Sequence, residues 1–418
     1  MKYNKDTFKL DNSAIVYPSA KTKKWTAMFR ISITLKEDID INILKQALTV
    51  SLKRMPAFST TLKKGFLWHY LKKIDGLPPI EKDVKYPMES LDIAKNNGFL
   101  FRVRYDANKL SFEYFHSLTD GHGGLTFLLT TVNEYLSIKY GKNLSTNKNI
   151  LDCNDSFDST EYIDDYHTFA TKGNNKYQDA ICYYPKGQEL ENGKIAITTA
   201  EIKTDVLKNV ANNYKVTIGG LLTSLMIYSF YVAQKSEKKF LPIKVAVPVN
   251  LRYFYPSKTL ANFTTFITPG IINSKNNYEF NDVVNIVKQY LKDNVKEEKV
   301  NRQFSKMVAL EKNPFIHIIP LFIKNPIMRY IYLRQNRYFS STFSNLGNVI
   351  LPDEMSSYVS KVDFMLGQAS IPKSIGSCVS YNNKTIINIS RTVKENKIEK
   401  VFFETLEKIG VMSNVKEN

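Results

Sequence analysis

Phe115-His116-Ser117-Leu118-Thr119-Asp120-Gly121 separates two segments with different hydrophobic periods. Upstream, residues 99–105 and 110–115 read as two short strands, and Asp106-Ala107-Asn108-Lys109 supplies the turn between them. Downstream, Leu125, Leu128, Leu129, Val132 and Leu136 recur at helical spacing, which predicts a helix over 123–138. The stretch therefore lies on a strand-to-helix loop, where rigid neighbours can present a functional side chain.

Working outward, residues 25–35 alternate as a strand. A helix is expected over 41–54, stopped by Pro56, and a hairpin region over 58–71. Residues 151–191 are polar, aromatic-rich and irregular, as expected of a crossover between two halves. Strands follow at 195–202, 243–249 and near Phe263, with helices at 204–214, 217–233 and 282–295. The last part reads as strands at 342–346, 358–364, 378–381 and 385–390, then a helix over 398–412. Mixed strands and helices recur in both halves, so an α/β class is expected, although no sequence repeat relates them.

The chain is long enough for two or three domains or one large α/β unit, with 418 residues of which 43% are apolar. Lys and Arg total 58 against 40 for Asp and Glu, a net charge of +18. Such a field attracts anions such as nucleotide phosphates, acidic proteins or membranes, and a Lys/Asn-rich composition bias accounts for it equally well. No zinc-finger spacing or ribonucleoprotein aromatic motif is visible, so nucleic acid is not an expected partner. Three widely spaced cysteines, Cys153, Cys182 and Cys378, form no Cys-x-x-Cys and fit a reducing compartment. Residues 1–10 contain no apolar h-region, so no signal peptide is read and a cytoplasmic location is expected. Residues 216–233 carry no charge, but Thr217, Gly219, Gly220, Thr223, Ser224 and Ser229 mark a buried core helix rather than a span. Residues 315–338 mix Ile318, Ile319, Leu321, Phe322, Ile323, Ile327 and Met328 with Lys324, Arg329, Arg334 and Arg337. Core packing is the default for these apolar residues, with an acyl tunnel or a lipid-facing surface as alternatives. The cations between Lys296 and Arg337 are read as a solvated face, with a site for phosphates or an acidic carrier protein as the alternative.

The chemistry of the quoted stretch starts from His116, whose ordinary pKa of about 6.5 suits a general base. Asp120 follows across a tight turn, and a buried Asp there must be paired. Gly121 is expected to permit backbone angles that other residues resist. Two rival readings are weaker. His116, Asp120 and His122 could be imagined as metal ligands, but His69, His167 and His317 are isolated and no metal is expected. A Ser-His-Asp hydrolase would require a nucleophile elbow, and Gly-x-Ser-x-Gly is absent around Ser117.

The stretch resembles the His-His-x-x-x-Asp-Gly signature of the superfamily containing chloramphenicol acetyltransferases, condensation domains of nonribosomal peptide synthetases, plant acyl-CoA-dependent acyltransferases and alcohol acetyltransferases. His116 matches the catalytic second His, and Phe115 replaces the first. Leu10-Asp11-Asn12-Ser13-Ala14-Ile15-Val16-Tyr17-Pro18 is similar to the opening of bacterial alcohol-acetyltransferase-like members. Pro248-Val249-Asn250-Leu251-Arg252, followed by Asn262-Phe263, resembles the segment whose Arg pairs with the motif Asp. Ser344-Asn345-Leu346-Gly347 resembles the later strand near the active-site channel.

The resemblance implies two chloramphenicol-acetyltransferase-like α/β subdomains, 1–190 and 191–418, forming a V-shaped pseudo-dimer around a central channel. It implies acyl transfer from a thioester, acyl-CoA or an acylated phosphopantetheine of an acyl carrier protein, to an alcohol or, less favoured, an amine. His116 would be the base, Asp120, Gly121 and Arg252 would support the motif, and Ser344 and Asn345 would line the channel or donate to the oxyanion. No permanently bound cofactor, no membrane span and a monomer are expected. Two alternatives stand beside this reading: a free-standing condensation-type enzyme forming an amide on a carrier-bound substrate, and a catalytically silent member that binds a ligand or partner.

Overall fold

The computed structural model describes residues 6–22, 25–171, 180–191, 194–273, 277–367 and 371–418. Residues 172–179, inside the expected crossover, and residues 1–5, inside the expected leaderless start, lie outside them.

One α/β unit is built on a five-stranded sheet in the order Val359–Leu366, Met28–Leu35, Lys109–Phe115, Phe101–Asp106, Ile80–Lys82. Helices Ile41–Arg54 and Gly121–Tyr140 pack on one another beside it, and its core includes Phe29, Ile31, Leu48, Phe112, Tyr114, Phe127 and Leu128. A second unit uses an eight-stranded sheet whose path runs Thr264–Ile267, Ile243–Asn250, Ser341–Asn348, Ser374–Tyr381, Lys384–Arg391, Ala196–Lys203, Asn414–Glu417, with Gly270–Ile271 on the Ile243–Asn250 strand. Its separate core gathers Leu222, Met226 and Phe230 of helix Ile218–Gln234 with Val284, Val287, Phe402 and Leu406. Strands Thr7–Lys9, His69–Lys73 and Thr60–Lys64 form a further small sheet.

Three departures from the sequence reading matter. Strand Val359–Leu366, late in the chain, pairs antiparallel with Met28–Leu35 at the edge of the first sheet. Helix Glu297–Glu311 and the edge strand Asn414–Glu417 were not anticipated. Residues 314–335 form helices Pro314–Ile318 and Leu321–Gln335, which turn much of their apolar surface outward instead of packing it in the core. Helix Ile218–Gln234 is largely buried, and among the described residues no single helix is long and apolar enough to cross a membrane.

Two features of the sheets position the site. Strand Ser341–Asn348 pairs with Ile243–Asn250 only at Ser341↔Val245 and Thr342↔Ala246. On its other side Ile243–Asn250 pairs with Thr264–Ile267, so the intervening residues 251–263 form an excursion that leaves the second sheet and reaches the first unit.

The first sheet carries its own buried charge cluster. Arg30, Glu113 and Arg102 are direct cross-strand partners on one face. Glu113 Oε2 lies 2.8 Å from Arg102 Nη2, Oε1 lies 3.3 Å from Arg30 Nη1, and Met88 N donates to Oε1 at 2.9 Å. Removing Glu113 leaves Arg102 without its buried carboxylate partner and Arg30 with Asp83 alone. Glu113→Ala is therefore expected to lower stability by about 3–5 kcal/mol, read as a lower denaturant midpoint at unchanged slope. A loss within experimental error would mean that Asp83, the Glu89 carbonyl and solvent satisfy the arginines without it.

Candidate functional site

His116 follows strand Lys109–Phe115 directly, and its backbone N donates to Ala27 O at 2.9 Å, extending the pairing with the neighbouring strand by one residue. Along the strand, Phe112 and Tyr114 face the core and Glu113 the opposite side, so alternation sends His116 to the core face. There its ring stacks on Tyr17, with centroids 4.7 Å apart and planes at 15°, and meets Phe29 edge-on at 5.1 Å. The side chain is half-buried.

Asn262 decides the protonation pattern of this ring. Asn262 Nδ2 donates to Asp11 Oδ2 at 2.9 Å and to the His116 carbonyl at 3.1 Å. The His116 carbonyl can only accept, so the amide nitrogen must face it and Oδ1 must face the His116 ring. That oxygen lies 2.9 Å from His116 Nδ1. Nδ1 must therefore carry the proton, which leaves a lone pair on Nε2. Among the described residues Nε2 has no hydrogen-bond partner. Burial lowers the pKa of His116, with the Asp120 charge and the Asn262 hydrogen bond opposing it, so the ring is neutral near pH 7. Asp11 is itself held by Ala14 N at 2.8 Å and Asn262 N at 3.1 Å. Burial and the nearby Asp164 push its carboxyl up to about 8, against the pull of these N–H donors.

Asp120 caps helix Gly121–Tyr140. Its Oδ1 accepts from His122 N and Gly123 N, both at 3.1 Å. Oδ2 accepts from Arg252 Nη1 at 2.8 Å and Phe263 N at 2.9 Å. Burial alone would raise the pKa of Asp120, but the Arg252 charge, then the nearby His122 ring and the Phe263 N–H, hold it below the usual carboxylate range. Arg252 is saturated in turn, donating to Thr259 O at 2.9 and 2.7 Å, Ala261 O at 2.7 Å and Asn250 Oδ1 at 3.2 Å. One ion pair thus ties a helix start in the first unit to the 251–263 excursion from the second. With both oxygens of Asp120 occupied, it offers no lone pair in the geometry a metal ligand requires. Among the described residues, the grouping with metal-ligand spacing is Asp164, His167 and Glu311, where His167 Nε2 lies 2.9 Å from Glu311 Oε2.

Gly121 does not serve the purpose expected of it. It is absent from the glycines at positive φ; a Cβ there would instead lie 3.0 Å from Leu346 Cδ1. Space, not backbone freedom, is the constraint. Gly123 is more restricted: a Cβ would fall 2.1 Å from Leu260 O and 2.3 Å from Thr119 Oγ1. Thr119 Oγ1 also donates to Leu260 O at 2.6 Å. This close approach seats the excursion two residues before Asn262.

Ser344 and Asn345 lie on Ser341–Asn348, beyond the point where that strand stops pairing with Ile243–Asn250. Their neighbour Leu346 brings the strand to the start of helix Gly121–Tyr140. Asn345 Oδ1 accepts from Gly347 N at 2.8 Å. Among the described residues neither side chain bonds His116, Asp120 or Arg252. The structure thus brings His116, Asp120, Gly121 and Arg252 into one cluster. It adds Asn262, Asp11, Tyr17 and Phe29, which received no role from the sequence, although Asp11, Tyr17 and Asn262 fall within or beside the quoted segments.

No family model and no curated relative matches the sequence. Solved structures do match the fold over nearly the full chain. The F. graminearum TRI101 complexed with coenzyme A and deoxynivalenol is 9% identical, covers 97% of this chain and 99% of that one, and superposes with a TM-score of 0.65. The first condensation domain of the calcium-dependent antibiotic synthetase, in complex with a substrate analogue, is 9% identical over 97% and 96%, with a TM-score of 0.63. TRI3 trichothecene 15-O-acetyltransferase from Fusarium sporotrichioides is 12% identical over 96% and 93%, with a TM-score of 0.60.

Proposed function

We propose, on the premise that this chain has the two-subdomain α/β fold of condensation domains and CoA-dependent acetyltransferases, that it is an acyltransferase with His116 as its general base. The observation that carries this reading is the Asn262 amide, whose orientation leaves His116 Nε2 unprotonated and unpartnered. In this reading Nε2 takes the proton from an acceptor hydroxyl as its oxygen attacks the thioester carbonyl. A C–O bond forms, the C–S bond breaks, and the imidazolium returns the proton to the leaving thiolate. The thioester is already activated, so the chain needs to supply only a base, a fixed tautomer and a shaped site.

Asp120 and Arg252 have an architectural role: they hold the excursion that carries Asn262 against the loop that carries His116. The subdomains would be 1–190 and 191–418, with strand Val359–Leu366 contributed by the second to the first. Acyl-CoA is the favoured donor and an alcohol the favoured acceptor; Ser344 and Asn345 are assigned to the wall of the channel.

The test is a thiol-release screen of acyl-CoAs of varied length against mixed alcohols and amines, with products weighed by mass spectrometry. Acceptor-dependent thiol release with an acylated alcohol is expected. Release from an acylated carrier protein alone, with an amide product, would identify the condensation-type alternative. No acceptor-dependent release from any donor, by folded protein, would overturn acyl transfer.

The pH profile follows from the lowered pKa of His116. A base with a depressed pKa stays neutral, and active, to lower pH than free imidazole. The rate kcat/KM should be flat through pH 7 to 8 and fall only below about 6.5. An acid limb centred above neutrality would contradict the assignment.

A further inference from the structure

Helix Leu321–Gln335 is turned about relative to an ordinary surface helix, with its lysine inside and large apolar side chains outside. Its inward side carries Leu321, Lys324, Asn325, Met328 and Tyr332. Lys324 is 2% exposed, donates to Leu67 O at 3.0 Å and lies 3.2 Å from the Trp68 ring centroid. Asn325 bonds Ser19 at 2.7 Å, and Tyr332 stacks on Trp25 at 4.3 Å. The outward side carries Phe322, Pro326 and Tyr330 in one row of i+4 spacing, and Ile323, Ile327 and Ile331 in the adjacent row. Phe322 is 73% exposed and Tyr330 65%. The preceding short helix adds Phe315 at 78% and Ile318 at 68%. Phe66, whose carbonyl accepts from Leu321 N at 2.8 Å, adds a ring 75% exposed. A lysine is buried while isoleucines and phenylalanines face outward, so solvent is not the medium for which this face is suited.

Along this stretch of sequence the charge is of one sign. From Lys312 to Pro352 the sequence contains no Asp or Glu, while Lys312, Arg329, Arg334 and Arg337 are all exposed. An apolar face with aromatic rings, bordered by exposed arginines and carrying no acid of its own, suits the plane of a membrane interface, where aromatic rings and basic side chains gather. Anionic headgroups complement the arginines, and acyl chains accept the phenylalanines and isoleucines.

We propose that residues 314–335, with Phe66, dock this protein peripherally on an anionic lipid bilayer surface. The docking face is the back of the helix whose inner side meets the candidate site: Tyr332 stacks on Trp25, Trp25 lies 5.9 Å from Tyr17, and Tyr17 stacks on His116. The proposal itself does not depend on acyl transfer and stands or falls separately.

The test is flotation of the full chain with phosphatidylcholine vesicles and with vesicles of equal phosphatidylglycerol and phosphatidylcholine, at low and high salt, alongside the sedimentation behaviour of the free protein. Flotation with the anionic vesicles only, weakened by salt, is expected. Phe322→Ser/Ile327→Ser should weaken partitioning about tenfold or more, since each removes an apolar side chain from the bilayer. Arg329→Gln/Arg334→Gln should weaken it several-fold and flatten the salt dependence. These side chains are exposed, so circular dichroism and melting should be unchanged in both variants. No flotation, or equal flotation on both compositions, would overturn the proposal. So would a dimer in solution that Phe322→Ser/Ile327→Ser dissociates, because a second copy would then be what covers the face.

Discussion

Replacing His116 with alanine should lower acyl-transfer turnover about 10²- to 10⁴-fold, the range typical for loss of a general base. The prediction is specific because the ring contributes little else. It is half-buried and donates one side-chain hydrogen bond, to Asn262, and its backbone N–H to Ala27 is untouched by the change. The lost contacts are the stack on Tyr17 and the edge contact with Phe29. Their removal should be felt as a modest decrease in melting temperature, not as unfolding. The loss should appear in kcat, with KM nearly constant, because the proton moves only as the acceptor attacks. Steady-state kinetics on the best donor–acceptor pair provides the measurement. Near-normal turnover in the folded variant would remove His116 from the chemistry.

The second large effect belongs to Asn262. With Asn262→Ala, His116 Nδ1 loses its acceptor, and the His116 carbonyl and Asp11 lose their donor. Nothing then prevents the proton from residing on Nε2, the atom that must be bare to accept one. A fall in kcat of about 10²-fold is expected, smaller than the loss of the base itself because a fraction of molecules retains the productive tautomer.

A merely structural role would also reduce activity, so the decisive readout is the imidazole. Nitrogen-15 spectra of the wild-type protein should show a protonated Nδ1 and a bare Nε2 for His116, and Asn262→Ala should mix or reverse them. Asp11→Asn gives an independent test. An amide at position 11 cannot accept at both ends, yet Ala14 N and the Asn262 donors all require acceptors. One orientation keeps Asn262 in place and the other favours its flip, so the variant should show both tautomers and an intermediate rate. Unchanged nitrogen spectra in both variants would refute the tautomer argument while leaving His116 as base.

The order of segments along the chain already carried much of the architecture. Alternation in 25–35 and 110–115, helical spacing in 41–54 and the apolar character of 217–233 are local properties, and the corresponding elements are present at Met28–Leu35, Lys109–Phe115, Ile41–Arg54 and Ile218–Gln234. Asp120 and Arg252 could be paired on paper because a buried carboxylate needs a cation and the resemblance supplied one. Their 2.8 Å contact is the structure's own result. Position 121 marks the limit of such reading. Glycine there suggested a special backbone angle, whereas the constraint is the Leu346 methyl, more than two hundred residues away.

The sequence by itself determined the elements and the chemical types available at the motif: a base, a carboxylate that must be capped or paired, and an arginine able to pair with it. It did so because periodicity, capping and charge act over a few residues. Tertiary structure alone decided which nitrogen of His116 is free, since that depends on an amide at position 262 oriented by the His116 carbonyl and the Asp11 carboxyl. It also decided that strand Val359–Leu366 pairs in the first sheet, and that Phe315, Ile318, Phe322, Ile323, Ile327 and Ile331 face outward while Lys324 is buried. A hydrophobic pattern states that a face avoids water; only packing determines whether protein covers it.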